Sequence, residues 1–238
     1  MDLRLQTVIP PGIITDYQKL DYRTFLSYQE MLIRERQEEK IGDSMLVVFH
    51  DHVYTAGIRY RESDLLDKSV ELVRLNRGGG ITYHGPGQIN IYPVVNIEEK
   101  NFTLRRYMEI LQSSVSGSLA NYGISAENLL GDHLGTWSSG RKLCSYGVSV
   151  QKGVTGHGLS LNVRTEMSYF EKINPCGFGS EVMGRAVDLS EYIPAERILA
   201  SELAQLIAGG LGIEKIMRVQ SIKALQTGFS ELLSGTAP

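Results

Sequence analysis

The chain has 238 residues, and its hydrophobic fraction of 42% is typical of a globular protein with a sizeable core. Its net charge of -3 argues against a nucleic-acid-binding protein, which normally presents a basic face. No apolar run reaches the roughly 18 residues that a membrane-spanning helix needs, so we expect no membrane partner either.

The cysteine content bears on the compartment. Cys144 and Cys176 are too few for a disulfide framework, and the N-terminal residues show no signal-peptide pattern. We therefore expect a cytoplasmic protein in which each cysteine is either an inert buried thiol or a reactive one. The sequence leaves open whether the two thiols approach closely enough to form a redox switch.

The first half of the chain predicts two helices with strands between them. Thr15 and Gln18 match a capping box, which predicts a helix from Thr15 that ends near Gly42. Apolar residues at helical spacing predict a second helix over Thr103–Tyr122, closed by Gly123. Strand-like patterns occur at three places between the helices: Ser44–His50, Leu72–Asn76 and Ile89–Val95.

The second half predicts strands around Lys142–Val150 and Gly158–Val163. Two helices follow, one after Pro194 and one around Ser221–Leu233. No linker, repeat or low-complexity tract divides the chain. Because strands and helices mix without strict alternation, we expect a single α+β domain over residues 1–238.

The stretch RGGGITYHGPGQ, Arg77–Gln88, holds five glycines and matches neither a Walker A loop nor a dinucleotide fingerprint. Its permissive backbone beside polar side chains suits a loop that binds a ligand through main-chain N–H groups. The alternative is a tight connection with no ligand. His157, between Gly156 and Gly158, offers a similar choice between a pocket residue and a hydrogen-bonded core histidine.

Three further residue types invite a chemical interpretation. His50 and His52 share a strand face, but without a third ligand we expect no metal site, one histidine near a cleft and the other structural. Cys176 lies in NPCG, where proline and glycine indicate a turn, and is the better candidate nucleophile. Cys144 lies in the strand-like RKLCSYGVSV and behaves as a small hydrophobe, while Lys142 alone would be read as a surface lysine.

Four of these stretches resemble, in order and spacing, the lipoyl-protein octanoyltransferases: RGGGITYHGPGQ, RKLCSYGVSV, VTGHGLSLNV and INPCG. HDHVYTAG, His50–Gly57, is similar to a further segment of that family. The resemblance implies the fold of lipoate-protein ligases and biotin ligases, a mixed β-sheet with flanking helices. It also implies an acyltransferase that moves an octanoyl group from octanoyl-acyl carrier protein to a lysine of lipoyl domains, the first step of endogenous protein lipoylation, without a cofactor. The implied acceptors are the lipoyl domains of 2-oxoacid dehydrogenase E2 subunits and the glycine cleavage H protein.

The same resemblance assigns roles to residues of this chain. Cys176 would be the acyl-accepting nucleophile, Lys142 would lower its pKa, and His157 would be a positioning group. A set of residues would line the substrate pocket, with His84 facing the reacting carbonyl: Arg77, Gly78, Gly79, Gly80, Ile81, Thr82, Tyr83, His84, Ser145, Tyr146, Gly147, Gly158, Leu159 and Ser160.

The sequence departs from the family around the pocket. Asp51 and His52 stand where prolines are usual, Ser160 replaces a usual alanine, and Gly80 often has a larger counterpart. These differences bear on acyl chain length more than on the chemistry. Two alternatives also fit the glycine loop, namely an ATP-dependent lipoate-protein ligase and a non-catalytic acyl-binding module. Four arginines are candidates to meet an acidic carrier: Arg59, Arg61, Arg74 and Arg77.

Overall fold

A computed structural model describes residues 13–15, 19–213 and 217–219; for 13–15, 19–20, 176 and 217–219 it describes the backbone only. These residues form three helices, α1 Tyr22–Gln37, α2 Leu104–Ala120 and α3 Glu196–Leu211. They also form twelve strands: β1 Ile13–Thr15, β2 Lys19–Leu20, β3 Ser44–His50, β4 Val53–Ala56, β5 Leu72–Arg74, β6 Ile81–His84, β7 Gln88–Val94, β8 Glu127–Leu129, β9 Gly135–Ser138, β10 Arg141–Gln151, β11 Val154–Asn162 and β12 Met217–Val219. No helix among the described residues has the length and apolarity needed to cross a membrane.

The strands form three sheets. The main sheet has seven strands in the order β2-β3-β7-β11-β10-β9-β8, antiparallel except for the parallel pair β2–β3. A second sheet has three strands in the order β5-β4-β6, and the glycine-rich segment directly precedes β6. β1 and β12 pair in parallel. This mixture of parallel and antiparallel strands with helices confirms the predicted α+β class.

Both faces of the main sheet are covered. Met45 and Val47 of β3 pack in the largest apolar cluster with α2 and α3, whereas Leu46 and Val48 pack in a second cluster with α1. Successive strand residues point to opposite faces, so a strand covered on both sides must be apolar throughout. That explains the continuous run Ser44–His50, whose predicted bounds are confirmed.

The predicted start of the first helix is wrong. Thr15 belongs to β1, and α1 begins at Tyr22 after the N-cap Asp21, whose carboxylate accepts a hydrogen bond from the Thr24 N–H at 2.9 Å. Aspartate is a stronger N-cap than threonine, and here it lies directly before the helical segment. The helix ends at Gln37, five residues before the expected Gly42.

The other predicted elements occur within a few residues of their expected bounds. The predicted strand Leu72–Asn76 is shorter than expected, ending at Arg74, and the strand predicted at Gly158–Val163 already starts at Val154. The helix predicted after Pro194 is α3. The helix predicted around Ser221–Leu233 lies outside the described residues.

Two-residue turns of one type join β9 to β10 and β10 to β11. Ser139 and Gly140 both have positive φ, as do Lys152 and Gly153. Positive φ at both central positions is the mark of a type I′ turn, whose twist matches that of the strands it connects. The first of these turns sets Lys142 of β10 directly opposite Trp137 of β9.

Candidate active site

The glycine-rich loop is built around a buried arginine. The Arg77 guanidinium donates hydrogen bonds to the carbonyl oxygens of Gly78 and Gly80, at 2.9 and 3.1 Å, and to both oxygens of Thr55. Gly147 of β10 packs against this arrangement so closely that a Cβ there would lie 2.9 Å from Arg77 Cδ. The loop is therefore held in one conformation, because the arginine supplies hydrogen bonds to the carbonyl oxygens of its glycines.

His84 ends the loop with both ring nitrogens engaged. Its Nδ1 lies 2.9 Å from Gln88 Oε1 and 3.1 Å from Asn90 Oδ1, which are acceptors, so Nδ1 carries the proton. Its Nε2 then accepts from the Thr55 hydroxyl at 3.3 Å. Burial, reinforced by the Arg77 charge, lowers the pKa of His84 to about 4, so the ring is neutral at physiological pH. It is a fixed structural group, and its nitrogens do not face outward to a reacting carbonyl as we had expected.

His157 differs from His84 because one of its nitrogens lacks a partner. The residue adopts φ 57° in the middle of β11, a conformation that is uncommon for a side chain other than glycine. The backbone N–H of His157 donates to Gln29 Oε1, and the ring Nε2 lies 3.4 Å from Asn76 Oδ1. The buried ring Nδ1 has no hydrogen-bond partner among the described residues. Burial, together with the nearby Arg77 and His84, lowers its pKa to about 3.

These residues surround a narrow cavity of about 30 Å³, room for about two water molecules at most. Its walls come from the loop, β6, β10 and β11, together with two tyrosines of α1 and β7: Tyr22, Arg77, Gly79, Thr82, His84, Tyr92, Ser145, Tyr146, Gly147, His157, Gly158 and Ser160. Tyr22 stacks on His84 with 5.7 Å between ring centroids. An eight-carbon chain could enter only if some of these side chains moved apart.

A larger cavity of about 320 Å³ adjoins the narrow one, since Gly79 and Tyr146 line both. Its walls bring together the glycine loop, Lys142 and the segment after Cys176: Arg59, Arg61, Asp64, Gly79, Gly80, Asp132, Leu134, Lys142, Tyr146, Gly177 and Phe178. The two cavities therefore lie side by side, and we call the larger one the vestibule.

Lys142 and the turn that contains Cys176 both border this vestibule. Lys142 is only 3% exposed, so it is not the surface lysine that its sequence context alone would indicate. The Cys176 backbone lies in the short turn Pro175–Gly177, as the NPCG motif predicts, and the Phe178 N–H closes that turn on the Pro175 carbonyl. Cys144 is fully buried in β10, and burial raises the pKa of its thiol to about 12, which is the behaviour of an inert core cysteine.

Some residues expected in the pocket face elsewhere. On β6, Thr82 and His84 line the narrow cavity, whereas Ile81 and Tyr83 alternate to the opposite face and pack in a third apolar cluster. Leu159 likewise faces the main core between Gly158 and Ser160. Gly78 fastens the loop to the sheet by donating its N–H to the Val148 carbonyl at 2.9 Å.

Sequence reasoning also missed several residues of the site. Tyr22 and Tyr92 form walls of the narrow cavity, and Thr55, Gln88 and Asn90 hold His84. A signal was available for some of them, because Gln88 and Asn90 fall on the same face of a strand that follows the glycine loop directly.

The four candidate arginines do not form one surface patch. Arg77 is buried, and Arg74 lies over the Tyr60 ring and 4.0 Å from Glu62. Only Arg59 and Arg61 line the vestibule.

His50 and His52 do not share a strand face as predicted, because β3 ends at His50 and His52 lies between β3 and β4. His50 is buried, with its Nε2 2.8 Å from the Tyr92 hydroxyl, and His52 Nδ1 lies 2.7 Å from the Tyr83 hydroxyl. Throughout the described part of the chain, no three His, Cys, Asp or Glu side chains are grouped as metal ligands. Both histidines are parts of aromatic clusters.

Comparison with known proteins places this architecture in a family. Residues 21–208 match the lipoyl protein ligase A/B catalytic domain, which is most of the chain. The chain belongs to this family of lipoyl protein ligases and transferases.

Curated relatives narrow the activity within that family. The chain is 35% identical to a probable octanoyltransferase 2 of Picrophilus torridus over 73% of its length and 68% of the relative. It is 34% identical to an octanoyltransferase of Bacteroides fragilis, over 82% of this chain and 98% of that one. The mitochondrial octanoyltransferase LIP2 of Arabidopsis thaliana is 32% identical over 83% and 88% of the two chains. The protein is an octanoyltransferase enzyme, and its activity is octanoyl transfer in lipoylation.

Solved structures support the fold independently of sequence. A lipoate-protein ligase A bound with ATP superposes with a TM-score of 0.73 at 15% identity, covering 94% of each chain. A putative lipoate protein ligase of T. acidophilum with bound lipoic acid gives a TM-score of 0.70 at 15% identity, over 94% of this chain and 95% of that one. The predicted lipoate-protein ligase fold is thereby confirmed.

Proposed function

We propose that the protein transfers an octanoyl group from octanoyl-acyl carrier protein to a lysine of a lipoyl domain, through a thioester on Cys176. The observation that carries this proposal is the vestibule in which Lys142, the glycine loop and the turn of Cys176 meet. A nucleophile needs a nearby group that activates it, and a lysine ammonium favours the thiolate form of a cysteine. Solvated thiols have a pKa near 8.5, so only about 3% would be thiolate at pH 7 without such a neighbour.

In the first half-reaction, the Cys176 thiolate, paired with the Lys142 ammonium, attacks the carbonyl carbon of the octanoyl thioester. A tetrahedral oxyanion forms, which main-chain N–H groups bordering the vestibule would stabilise. Its collapse breaks the bond to the sulfur of the carrier's phosphopantetheine. Lys142 donates a proton to that leaving thiol, so the octanoyl group resides on Cys176 and Lys142 is neutral.

In the second half-reaction, the neutral amine of the acceptor lysine attacks the octanoyl-Cys176 carbonyl. Lys142 takes up the proton that the amine loses as the amide bond forms. The Cys176 thiolate leaves, which restores the ion pair of the resting enzyme. The apolar tail would lie in the narrow cavity beside His84 once the rings of Tyr22 and Tyr92 move aside.

One solved structure of this fold supports the choice of acceptor. An archaeal bi-partite lipoate protein ligase, described together with its E2 lipoyl domain, superposes with a TM-score of 0.67 at 15% identity over 97% of this chain. We expect this enzyme to meet its acceptor domain at the mouth of the vestibule, which the acceptor lysine must reach. A cytoplasmic location remains our prediction for it.

The donor tests the proposed reaction against the ligase alternative. A purified lipoyl domain is incubated with the enzyme and either octanoyl-acyl carrier protein or free octanoate plus ATP, and the domain is weighed. We expect one octanoyl group on the domain with the carrier donor only, and none when the acceptor lysine is changed to arginine. Modification that requires ATP and free octanoate would show a ligase instead.

A further inference from the structure

Lys142 contacts a tryptophan ring that has no role in the proposed reaction. Lys142 lies directly opposite Trp137 across the β9–β10 ladder, where side chains project from the same face. The ammonium lies 5.8 Å from the centroid of the indole ring, within the range of a cation–π interaction. Both side chains are buried, at 3% and 7% exposure.

A glycine makes this contact possible. A Cβ on Gly135 would lie 2.6 Å from Lys142 Cε and 2.8 Å from Trp137 Nε1, closer than side chains pack. The end of Lys142 is therefore held between the bare backbone of β9 and the indole. The register also shifts between Lys142 and Cys144, and such a bulge re-aims the side chains beside it.

The indole is itself fixed from two sides. Its Nε1–H donates to the His133 carbonyl at 2.9 Å, and Phe178 meets it edge-on with 6.1 Å between ring centroids. Phe178 also packs on the His133 ring, 5.0 Å away. Because Phe178 follows the turn Pro175–Gly177, these three rings connect β9, the strand paired with that of Lys142, to the turn of Cys176.

We propose that Trp137 is a positioning residue for the reaction: its ring holds the Lys142 ammonium at the turn that carries Cys176. This inference rests on the proposed function, since it assigns Trp137 a role only through the Lys142–Cys176 pair. A ring face attracts the ammonium without neutralising it, whereas a carboxylate partner would compete with the thiolate for the same charge. Among the described residues, Lys142 forms no ion pair within 4 Å.

The state of the Cys176 thiol gives a readout that does not depend on turnover. The rate of alkylation of Cys176 by iodoacetamide is measured against pH by peptide mass, in the wild type and in Lys142→Ala, Trp137→Leu and Trp137→Phe. We expect Lys142→Ala and Trp137→Leu each to slow alkylation at pH 7 about tenfold, because the thiol pKa rises from below 7 toward its ordinary value of about 8.5. Trp137→Phe keeps an aromatic face and should stay within about twofold of the wild type.

The alkylation rates of the variants distinguish a failure of the inference about Trp137 from a failure of the proposed Lys142–Cys176 pair. If Lys142→Ala slows alkylation and Trp137→Leu does not, Trp137 has no positioning role and the lysine–cysteine pair stands. If Lys142→Ala itself leaves the alkylation profile unchanged, the pair is wrong and the inference falls with it. Steady-state kinetics add a second criterion, because Trp137→Leu should lower kcat with an unchanged KM for the carrier.

A spectroscopic measurement covers the case in which Trp137→Leu does not fold. Trp137 is the only tryptophan of the sequence, so its emission reports on this site alone. Lys142→Met should change the emission intensity, while Lys68→Met, at an exposed lysine paired with Glu62, should not. Equal spectra for the wild type and Lys142→Met would overturn the contact between the ammonium and the ring.

Discussion

At the scale of single residues, the site separates buried groups that organise from those that react. His84 has both ring nitrogens bonded within the protein, and Arg77 donates to the oxygens of its own loop. These hydrogen bonds hold both side chains in place, so we assign neither of them a role in proton transfer. Lys142, at the vestibule wall, is the group placed for that role in the proposed reaction.

The two buried histidines make stability depend on pH. Their folded pKa values, about 4 for His84 and about 3 for His157, lie below the value of about 6.5 in an unfolded chain. Below pH 6.5 the unfolded chain therefore binds more protons, and the free energy of unfolding falls as pH decreases toward those folded values. The loss is about 1.4 kcal/mol per pH unit for each histidine.

Urea titrations at pH 7.5, 6 and 5 measure this effect. We expect the free energy of unfolding to fall steadily toward pH 5, and the slope to be smaller in His157→Asn, which removes one of the two groups. Asparagine tolerates the positive φ of this position better than most residues. An equal slope in the variant and the wild type would mean that His157 is not held neutral.

Gly158 is expected to be irreplaceable for reasons of space. A Cβ at this position would overlap the Ile91 carbonyl of the neighbouring strand. Gly158→Ala should therefore lower the free energy of unfolding by about 2–3 kcal/mol, since the strand backbone cannot move aside easily. Gly117→Ala, in α2 with nothing within 4 Å of the new carbon, should instead stabilise by about 0.5–1 kcal/mol. Chemical denaturation of both variants tests the contrast.

At the scale of elements, strong periodicity and local turn chemistry could be predicted from the sequence. β3 and α2 follow their apolar patterns, and the NPCG turn lies where proline and glycine indicate it. The start of α1 was predicted too early, at Thr15, because a capping-box pattern is local and tertiary packing decides which segment becomes helical.

The candidate site was only partly predictable for a related reason. The motif residues lie on strands, and a strand turns alternate residues away from the cavity, so Ile81 and Leu159 face the apolar clusters instead. The role that we infer for Trp137 depends on cross-strand register. The Ser139-Gly140 turn would have revealed that register, because a two-residue turn fixes which residues stand opposite.

The N-cap of α1 contributes to the stability of the fold, and Tyr22, which follows the cap, lines the narrow cavity. Asp21→Ala removes the acceptor of the Thr24 N–H and should cost about 1 kcal/mol of stability. Asp21→Asn keeps an acceptor and should cost much less. Equal losses in the two variants, measured by thermal and urea denaturation, would contradict the capping assignment.

At the scale of the whole molecule, charged residues line the vestibule, and aromatic side chains line the narrow cavity beside it. Arg59 and Arg61 stand at the vestibule wall, where an acidic carrier would deliver a thioester-bound chain. Charge at a docking rim mainly changes the rate of association and its dependence on salt. The proposed donor therefore predicts an effect of these arginines on binding and not on the chemical step.

Reversing one rim charge tests this prediction. Arg59→Glu should raise KM for octanoyl-acyl carrier protein several-fold at low salt with kcat nearly unchanged, and the difference should shrink as salt screens the charges. With octanoyl-pantetheine, which lacks the carrier, the variant should match the wild type. Arg105→Glu on α2, whose exposed side chain pairs with Glu109, serves as the matched control. Equal KM values for Arg59→Glu and the wild type would place the carrier elsewhere.

The thioester on Cys176 is the central claim, and trapping tests it most directly. The enzyme is incubated with octanoyl-acyl carrier protein without an acceptor, and its intact mass is measured before and after hydroxylamine treatment. We predict one octanoyl adduct that hydroxylamine removes, present in Cys144→Ala and absent in Cys176→Ala. The absence of any adduct in an active enzyme, or an adduct that persists in Cys176→Ala, would contradict the account.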